Sequence, residues 1–368
     1  MEKIGVIGGG QLARMMIPAA INLGLDIKVF AETDGSSASL AATQVGDYRD
    51  VEQVRLFSAD RGVLTFDHEH VPMFVLKEVA LTGCKIYPAP DALALTHNKI
   101  VMRERLAALG LPQPLWAVLS REDDDSAFDT VGGFPCVAKK PVGGYDGKGV
   151  RVITGRVDIE EWLDEGPVLL EEKVPFVREL ALLSARSPSE EWLPWAPVET
   201  RQRAGVCSEV LAPAPDMSEL LIASAHQLSR SVAEGVGIVG VLAVEVFELH
   251  DGSLVINELA MRPHNSGHVL TELSRTSQFE QHLRAIADLP LGSTSFTSEM
   301  GVMVNVFGGI EPEGKNAALR EVPEAKIHDY SKSPRAGRKV GHVVVVGDRS
   351  EDLLGRASRA AGLMASSK

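Results

Sequence analysis

The opening 32 residues constrain the fold of this chain more than any other stretch. KIGVIGG reads as a short apolar strand, GQLARMMIPAAINLG carries apolar residues at helical spacing and stops at a glycine, and DIKVFAE reads as a second strand. Two strands joined through a helix lie parallel with a right-handed crossover, so this end is committed to an open α/β sheet. The alternation continues through VLTF at 63–66, a helix from about Pro72 and the strand KIY at 85–87. An open parallel α/β domain over residues 1–112 is therefore expected. GLPQPLW, with two prolines, reads as a connector. Beyond it FPCVAKK, VRVIT, VLLEE and ELALLSAR read as strands, followed by a long helix from about 216 to 235 and then a hairpin. Short strands and one helix near 350–361 fill the tail. These shifts divide the chain into 1–112, 113–292 and a small β-rich segment at 293–368, and no repeat of solenoid period is present.

A chain of 368 residues can bury a large core without a disulfide or metal staple. Its three cysteines, Cys84, Cys136 and Cys207, are far apart with no C-x-x-C pair, which argues against a disulfide framework or zinc site and for the reducing cytoplasm. The start lacks a basic region followed by a long apolar one, so no secretory signal is read. The apolar stretch 236–247 meets Glu245 before it could span a bilayer. A formal charge of -13 disfavours broad adhesion to nucleic acid or anionic membrane. An anionic ligand must then meet a local basic cluster, and YSKSPRAGRKVGH at 330–342 offers Lys332, Arg335, Arg338 and Lys339 with no acid among them. A solvated basic turn is the plain alternative there.

Two glycine-rich stretches suggest phosphate. GGYDGKGV at 143–150 fails the Walker pattern, because Val142 and Gly149 stand where it needs glycine and Ser or Thr. A glycine-rich flap laying N–H groups over a polyphosphate and a plain hairpin turn both remain. Gly8, Gly10 and Ala13 form G-x-G-x-x-A between a strand and a helix, with Glu32 at the end of the second strand. That pattern is a dinucleotide fingerprint, which would make the protein an NAD-dependent oxidoreductase with Glu32 on the ribose. The weaker reading is a tight turn whose N–H groups hold a phosphate.

IVGVLAVEVFELHDGSLVINELAMRPHNSGH contains Asp251-Gly252, a two-residue turn signal between apolar runs. With that turn His250 faces Ser253, facing pairs share the index sum 503, and Glu245 sits opposite Glu258. Cross-strand neighbours have Cβ atoms about 4.5–5.5 Å apart, where like charges repel. Val241, Ala243 and Phe247 share that face, so the carboxylates rise from an apolar surface. A divalent cation between them offsets the repulsion, and oxygen-only ligands favour Mg²⁺ with phosphate completing its shell. The alternatives are a carboxylate paired with Lys or Arg, or another register.

In order, Lys139 in a strand, the loop 143–149, LLEEKV and the paired glutamates resemble the ATP-grasp ligases. GGGQLARM, GGYDGKG, VPFVRELALLSAR, NELAMRPHNSGH and RAGRKVGH resemble, across nearly the whole chain, the 5-(carboxyamino)imidazole ribonucleotide synthetases of purine biosynthesis. The resemblance implies an ATP-grasp fold of mixed α/β and α+β class, with an N-terminal preATP-grasp domain, a small C-terminal β-rich domain and ATP between two β-rich lobes. It implies that Lys99 and Lys139 touch phosphates, that Gly144, Tyr145, Asp146, Gly147, Lys148 and Gly149 form the flap above them, and that Glu171, Glu172, Lys173 and Val174 flank adenine. Glu179 would take the ribose hydroxyls with Gln202 in the same nucleotide site, Asn257 and Glu258 would close it, and Mg²⁺ would sit on Glu245 and Glu258.

The implied reaction phosphorylates bicarbonate to carboxyphosphate, whose carboxyl group is captured by the amine of aminoimidazole ribonucleotide. Arg262, His264, Asn265 and Tyr145 would be catalytic, and Gly10, Gln11, Leu12, Glu69, Ser266, Lys332 and Arg338 would join them around the ribonucleotide. A homodimer is also implied. Each residue has a plainer alternative: Lys99 as a solvated helix residue, Lys139 as a surface strand residue, Glu179 as a partner of Arg178 or Arg186, His264 as a loop histidine bonded to backbone. Departures from the family pattern are Met261, where proline is common, Pro141 and Val142, where basic residues occur, Gln202, where histidine is frequent, and the histidine-rich DHEH at 67–70. A ligase activating formate, an NAD-dependent oxidoreductase and a non-enzymatic nucleotide-binding regulator are the rival readings.

Overall fold

A computed structural model describes residues 2–144, 149–349 and 352–365. Its first sheet is parallel throughout and runs in the order Ala42–Val45, Asp26–Ala31, Lys3–Ile7, Val63–Phe66, Lys85–Ile86. Both faces are covered, as a parallel sheet requires. Ile4 and Val6 pack under the helix Gln11–Leu23 and against Phe279 and Leu283 from far along the chain, while Ile7, Leu64 and Phe66 pack on Val75, Leu76 and Val79. Lys3–Ile7 has neighbours on both sides, so the turn after it lies at the switch point where such sheets bind ligands.

A four-stranded antiparallel sheet follows, ordered Trp116–Leu119, Val168–Glu172, Cys136–Lys139, Val150–Ile153. The chain then passes through residues 173–175 into a nine-stranded antiparallel sheet. Eight of its strands lie on one path: Leu254–Ala260, Gly240–Leu249, Phe176–Arg186, Val198–Arg203, Val206–Ala212, Met300–Gly308, Arg335–Gly347, Lys326–Asp329. The tail strands join through Val206–Ala212, where Glu209 faces Val304 and Ala212 faces Gly301. Alternation sorts the faces. Leu180, Leu182, Leu242 and Val244 pack beneath the helix Glu219–Val236, whereas Ala181, Leu183, Val241 and Ala243 face the opposite core. No described helix is long and apolar enough to cross a membrane.

The carboxylate hairpin forms by a different route from the one expected. Leu249, not His250, faces Ser253: Leu249 N donates to Ser253 O at 2.9 Å and Gly252 N to Leu249 O at 2.9 Å, giving a three-residue loop. Gly252 closes it at φ +81°, a left-handed conformation that suits glycine. Facing pairs next to the loop are therefore Glu248 with Leu254 and Phe247 with Val255, one residue out of the predicted register. A bulge at Asn257 then takes up one residue, and Glu245 comes to face Glu258 after all.

Candidate active site

The strands Cys136–Lys139 and Val150–Ile153 pair antiparallel, and of the glycine-rich stretch at the tip between them Gly143, Gly144 and Gly149 are described. Gly149 takes φ +71°, and Lys140 N donates to its carbonyl at 2.8 Å. Gly144 is described, whereas Tyr145, Asp146, Gly147 and Lys148 lie outside the described residues.

Beneath this tip two lysines meet from different elements. Lys99 opens the helix Lys99–Ala108, whose N-cap Asn98 accepts from Ile100 N and Val101 N. Pro141 contributes there too, since its carbonyl accepts from Lys99 N at 2.9 Å. Lys99 Nζ lies 2.8 Å from Glu258 Oε1 and donates to Gly144 O at 3.4 Å. Lys139 Nζ lies 2.7 Å from Glu171 Oε2 and donates to Asn257 Oδ1 at 3.0 Å. Both lysines are 8% exposed, which removes the reading of either as a solvated surface residue.

Three carboxylates face them. Burial pushes the Glu245 carboxyl up to about 8, helped by the charges of Glu258 and Glu179 and opposed by Lys339 and Lys139. Burial also raises Glu179, against the hydrogen bond that Gln202 Nε2 donates to its Oε2 at 3.1 Å. Glu179 is not the ion-pair partner of its neighbours: Arg178 is taken by Glu248 and Glu199, and Arg186 by Glu190. A pocket that resists ionising its own carboxylate is short of positive charge, and a divalent cation fits it. Among the described residues no group of three or more His, Cys, Asp or Glu is arranged to hold a metal. Glu245 and Glu258 would thus be partial ligands, with phosphate completing the shell.

Glu171 to Val174 span the passage between the two sheets. Glu172 N donates to Leu115 O at 2.9 Å, its Oε1 accepts from Leu115 N at 3.1 Å, Lys173 is exposed and Val174 is buried. Glu171 is held ionised: burial alone would raise its carboxyl, but Lys139 and Arg103 override it and the net shift is downward. Arg103 was not anticipated from the sequence. A signal existed, because Lys99, Met102, Arg103 and Leu106 form the buried stripe of their helix, placing two cations on an apolar face.

On the other side of Glu245 stands the loop after the hairpin. His264 Nε2 lies 3.2 Å from Glu245 Oε1, and its Nδ1 is 2.8 Å from Ser266 Oγ. Fully buried Gln278 brackets the same residue, accepting from His264 N at 2.8 Å and donating to His264 O at 2.9 Å. His264 is thus fixed through its backbone and through both ring nitrogens. Asn265 starts the short 3-10 turn Asn265–Gly267. Arg262 reaches back to the N-terminal domain and grips Glu69 with two bonds of 2.7 and 3.1 Å. Burial would raise Glu69, yet the guanidinium holds its carboxyl at about 2. Met261, one of the departures, is buried in the core under the helix Glu219–Val236.

The first glycine turn is not a dinucleotide site. Ala13 N donates to Asp67 Oδ1 at 2.7 Å, so a carboxylate from the strand end caps the helix whose own cap, Gly10, has no side chain. A Cβ at Gly10 would collide with that carboxylate. Gly9 N donates to Glu32 Oε2 at 2.9 Å, and Glu32 Oε1 is 2.8 Å from His68 Nε2. Glu32 is therefore spent on the turn and not held out for a ribose, which overturns the oxidoreductase reading. Leu12 is core, so only its backbone could meet a ligand. Gln11 faces the tail, where Lys332 Nζ donates to its Oε1 and lies 5.4 Å from the Tyr330 ring centroid. Arg338 lies in the strand Arg335–Gly347 and not in the loop expected there, and its Nη1 donates to Ser333 Oγ at 2.9 Å.

Two β-sheets joined by a short passage, with Lys139 of the four-stranded sheet and Lys99 of the helix Lys99–Ala108 both reaching the hairpin that carries Glu245 and Glu258, define an ATP-grasp ligase. The ATP-grasp domain model matches residues 104–279, the ribonucleotide synthetase preATP-grasp domain matches 1–97, and the phosphoribosylaminoimidazole carboxylase C-terminal domain matches 301–356. The chain belongs to the N5-carboxyaminoimidazole ribonucleotide synthase family. It is 42% identical over 371 residues to the synthase of Mycobacterium tuberculosis, covering 97% of this chain and 86% of that one. Its fold is similar to that of the Thermus thermophilus synthetase, with TM-score 0.90, 33% identity and 99% of each chain covered. It is also similar to the Aspergillus clavatus synthase in complex with ADP and 5-aminoimidazole ribonucleotide, with TM-score 0.89, 31% identity and 98% of each chain covered.

Proposed function

We propose that this chain carboxylates the amine of 5-aminoimidazole ribonucleotide with bicarbonate at the expense of ATP, releasing N5-carboxyaminoimidazole ribonucleotide, ADP and phosphate. The observation that carries this reading is His264, which joins the two halves: its ring faces Glu245 of the nucleotide cleft, and Arg262 of the same loop is clamped to Glu69 of the N-terminal domain.

Lys99 and Lys139 neutralise the triphosphate, Glu179 with Gln202 holds the ribose hydroxyls, and the Glu171–Val174 passage flanks adenine. Glu245 and Glu258 would hold Mg²⁺, which would offset phosphate charge during phosphoryl transfer. A bicarbonate oxygen takes that phosphoryl group, and the P–O bond to ADP breaks. The amine lone pair then attacks the carboxyl carbon of carboxyphosphate, the C–O bond to phosphate breaks, and the amine loses a proton. We assign the proton to His264, whose Nδ1 is oriented by Ser266. Arg262 and Asn265 bind the planar carboxyl oxygens, while Gln11, Lys332 and Arg338 hold the ribonucleotide. Three free thiols support a reducing cytoplasmic setting, and a homodimer is the assembly that the resemblance implies.

Phosphate release should require ATP, Mg²⁺, bicarbonate and the aminoimidazole ribonucleotide together, and ¹³C-bicarbonate should label the product. Turnover with formate in place of bicarbonate would replace the reading with that of a formylating ligase.

A further inference from the structure

Arg103 is completely buried, and its three donor nitrogens are all engaged. Nε donates to Glu171 Oε1 at 2.8 Å, Nη1 to Ile256 O at 2.9 Å and Nη2 to Asn257 O at 2.7 Å. Lys139 bonds the other ends of the same two residues, Glu171 Oε2 and Asn257 Oδ1. Arginine, carboxylate, lysine and amide thus close a ring that ties the passage between the lobes to the bulge in the hairpin.

Two properties of this ring bear on the reaction. The first is geometric. Without the bulge, the register set beside the loop by Glu248 and Leu254 would continue, Glu245 would face Asn257, and Glu258 would face Val244. Val244 points into the core beneath the helix Glu219–Val236, so a one-residue slip would turn Glu258 away from its partner and into apolar packing. The bulge is therefore what makes the glutamate pair, and the carbonyls on either side of the displacement, Ile256 O and Asn257 O, are the two that Arg103 holds. A guanidinium can bind two carbonyls and a carboxylate in one plane; an ammonium cannot reproduce that fork. The second property is charge. Glu171 is one carboxylate shared by two cations, so a net positive charge remains at Lys139. Removal of the guanidinium charge would leave Glu171 to neutralise Lys139 alone.

We infer that Arg103 is a positioning residue that locks the Asn257 bulge, and so the Glu245–Glu258 pair, while keeping Lys139 available to an anion. The inference rests on the nucleotide-site reading above but not on the identity of the amine substrate. Its geometric and electrostatic parts separate in two variants of the full chain. Arg103→Lys keeps the charge and loses the fork; Arg103→Gln keeps a neutral donor and loses the charge.

Calorimetric titration of ADP with and without Mg²⁺ reads both parts without turnover. The gain in ADP affinity that Mg²⁺ confers should fall at least about tenfold in Arg103→Lys, while metal-free ADP affinity stays within about threefold of wild type. In Arg103→Gln the metal-free affinity should fall by about tenfold as well. Aminoimidazole ribonucleotide affinity should change by less than about twofold in both, and circular dichroism should show folded protein. A folded Arg103→Lys with the wild-type Mg²⁺ increment, an equal loss of affinity for both ligands, or failure of both variants to fold would make Arg103 a structural tie and overturn the assignment. Wild-type protein that binds Mg·ADP but does not carboxylate the ribonucleotide would defeat the function proposed above and leave this test intact.

Discussion

The two halves of the proposed site, one for nucleotide and one for ribonucleotide, handle buried charge in opposite ways. In the nucleotide half, carboxylates and cations are unequal and shared: Glu171 serves both Arg103 and Lys139, Glu258 meets Lys99, and Glu245 is left under-compensated with its carboxyl at about 8. In the ribonucleotide half the pairing is one to one, with Arg262 on Glu69 by two bonds and Glu69 held at about 2. The first half is an unfinished electrostatic arrangement that a cation and a polyphosphate would complete. The second is a charge-balanced pair that ties the loop after the hairpin to the N-terminal domain and holds the Arg262 guanidinium in place.

Breaking the first half should give the largest effect. Glu258→Gln should keep the fold and lower Mg²⁺-dependent turnover by about two to four orders of magnitude, because one ligand charge is lost. Glu245→Gln should behave alike, and unchanged kinetics across a magnesium titration in either variant would remove the pair as metal ligands.

Breaking the second half should cost stability first. Glu69→Gln strands the Arg262 guanidinium in a half-buried place and should destabilise the protein by about 2–4 kcal/mol, read as a lower urea midpoint. Because the folded-state value lies below the ordinary carboxylate range, this contribution is present at neutral pH and is lost as pH falls towards about 2. The gap between wild type and variant should therefore narrow as the solution is acidified from neutrality through the ordinary carboxylate range. A gap that stays constant over that range would show that ionisation of Glu69 is not its source.

Smaller effects should separate the halves by substrate. Arg338→Ala and Lys332→Ala should each weaken transition-state binding by about 1.5–3 kcal/mol, seen as a higher KM for the ribonucleotide with that for ATP nearly unchanged. If both variants bind the ribonucleotide normally and lose only thermal stability, the loop is structural and the phosphate is held elsewhere, with the amides of Gly9 to Leu12 the next place to test. The smallest signal concerns protons. With a raised carboxyl, Glu245 makes ligand-free stability fall as pH rises from the ordinary carboxylate range to about 8. Binding of Mg·ADP at neutral pH should then release up to about one proton, measurable by calorimetry in buffers of different ionisation enthalpy. Zero release would place the charge deficit elsewhere.

Local patterning carried much of this site. The strand and helix periods at residues 3–31 specify the parallel sheet, and alternation in Gly240–Leu249 and Leu254–Ala260 puts Glu245 and Glu258 on one face. The pair follows from the sequence only through a mistaken turn, because the preference of Asp251-Gly252 for a two-residue loop does not register a bulge farther up the strand at Asn257. The buried stripe of its helix made Arg103 readable as an inward cation, but its contacts were hidden for the same reason: two of its acceptors are main-chain carbonyls, which every residue carries and which become special only when the bulge displaces them. Asp67 as the cap of Gln11–Leu23 was equally hidden, since the carboxylate comes from another strand and is 54 positions from its donor's residue. Pairing of Val206–Ala212 with Met300–Gly308 joins segments that no local period connects.

That last pairing has a consequence for how the two ends of the proposed site are held relative to one another. The hairpin with its two glutamates and the strand Arg335–Gly347, whose leading end carries Arg338, belong to one unbroken hydrogen-bonded ladder. Main-chain bonds between neighbouring strands fix the order in which these segments lie side by side, with bulges at positions such as Phe307 and Asn257. The hairpin that carries Glu245 and Glu258 and the strand that carries Arg338 are therefore parts of one sheet, which sets their spacing in the fold. The four-stranded sheet is a separate ladder, joined to it along the chain through residues 173–175 and by the bond from Lys139 to Asn257. On the function proposed above, a shift of the four-stranded sheet would reshape the nucleotide cleft and leave the spacing between the glutamate pair and Arg338 unchanged, so the two ligands would exchange by separate doors.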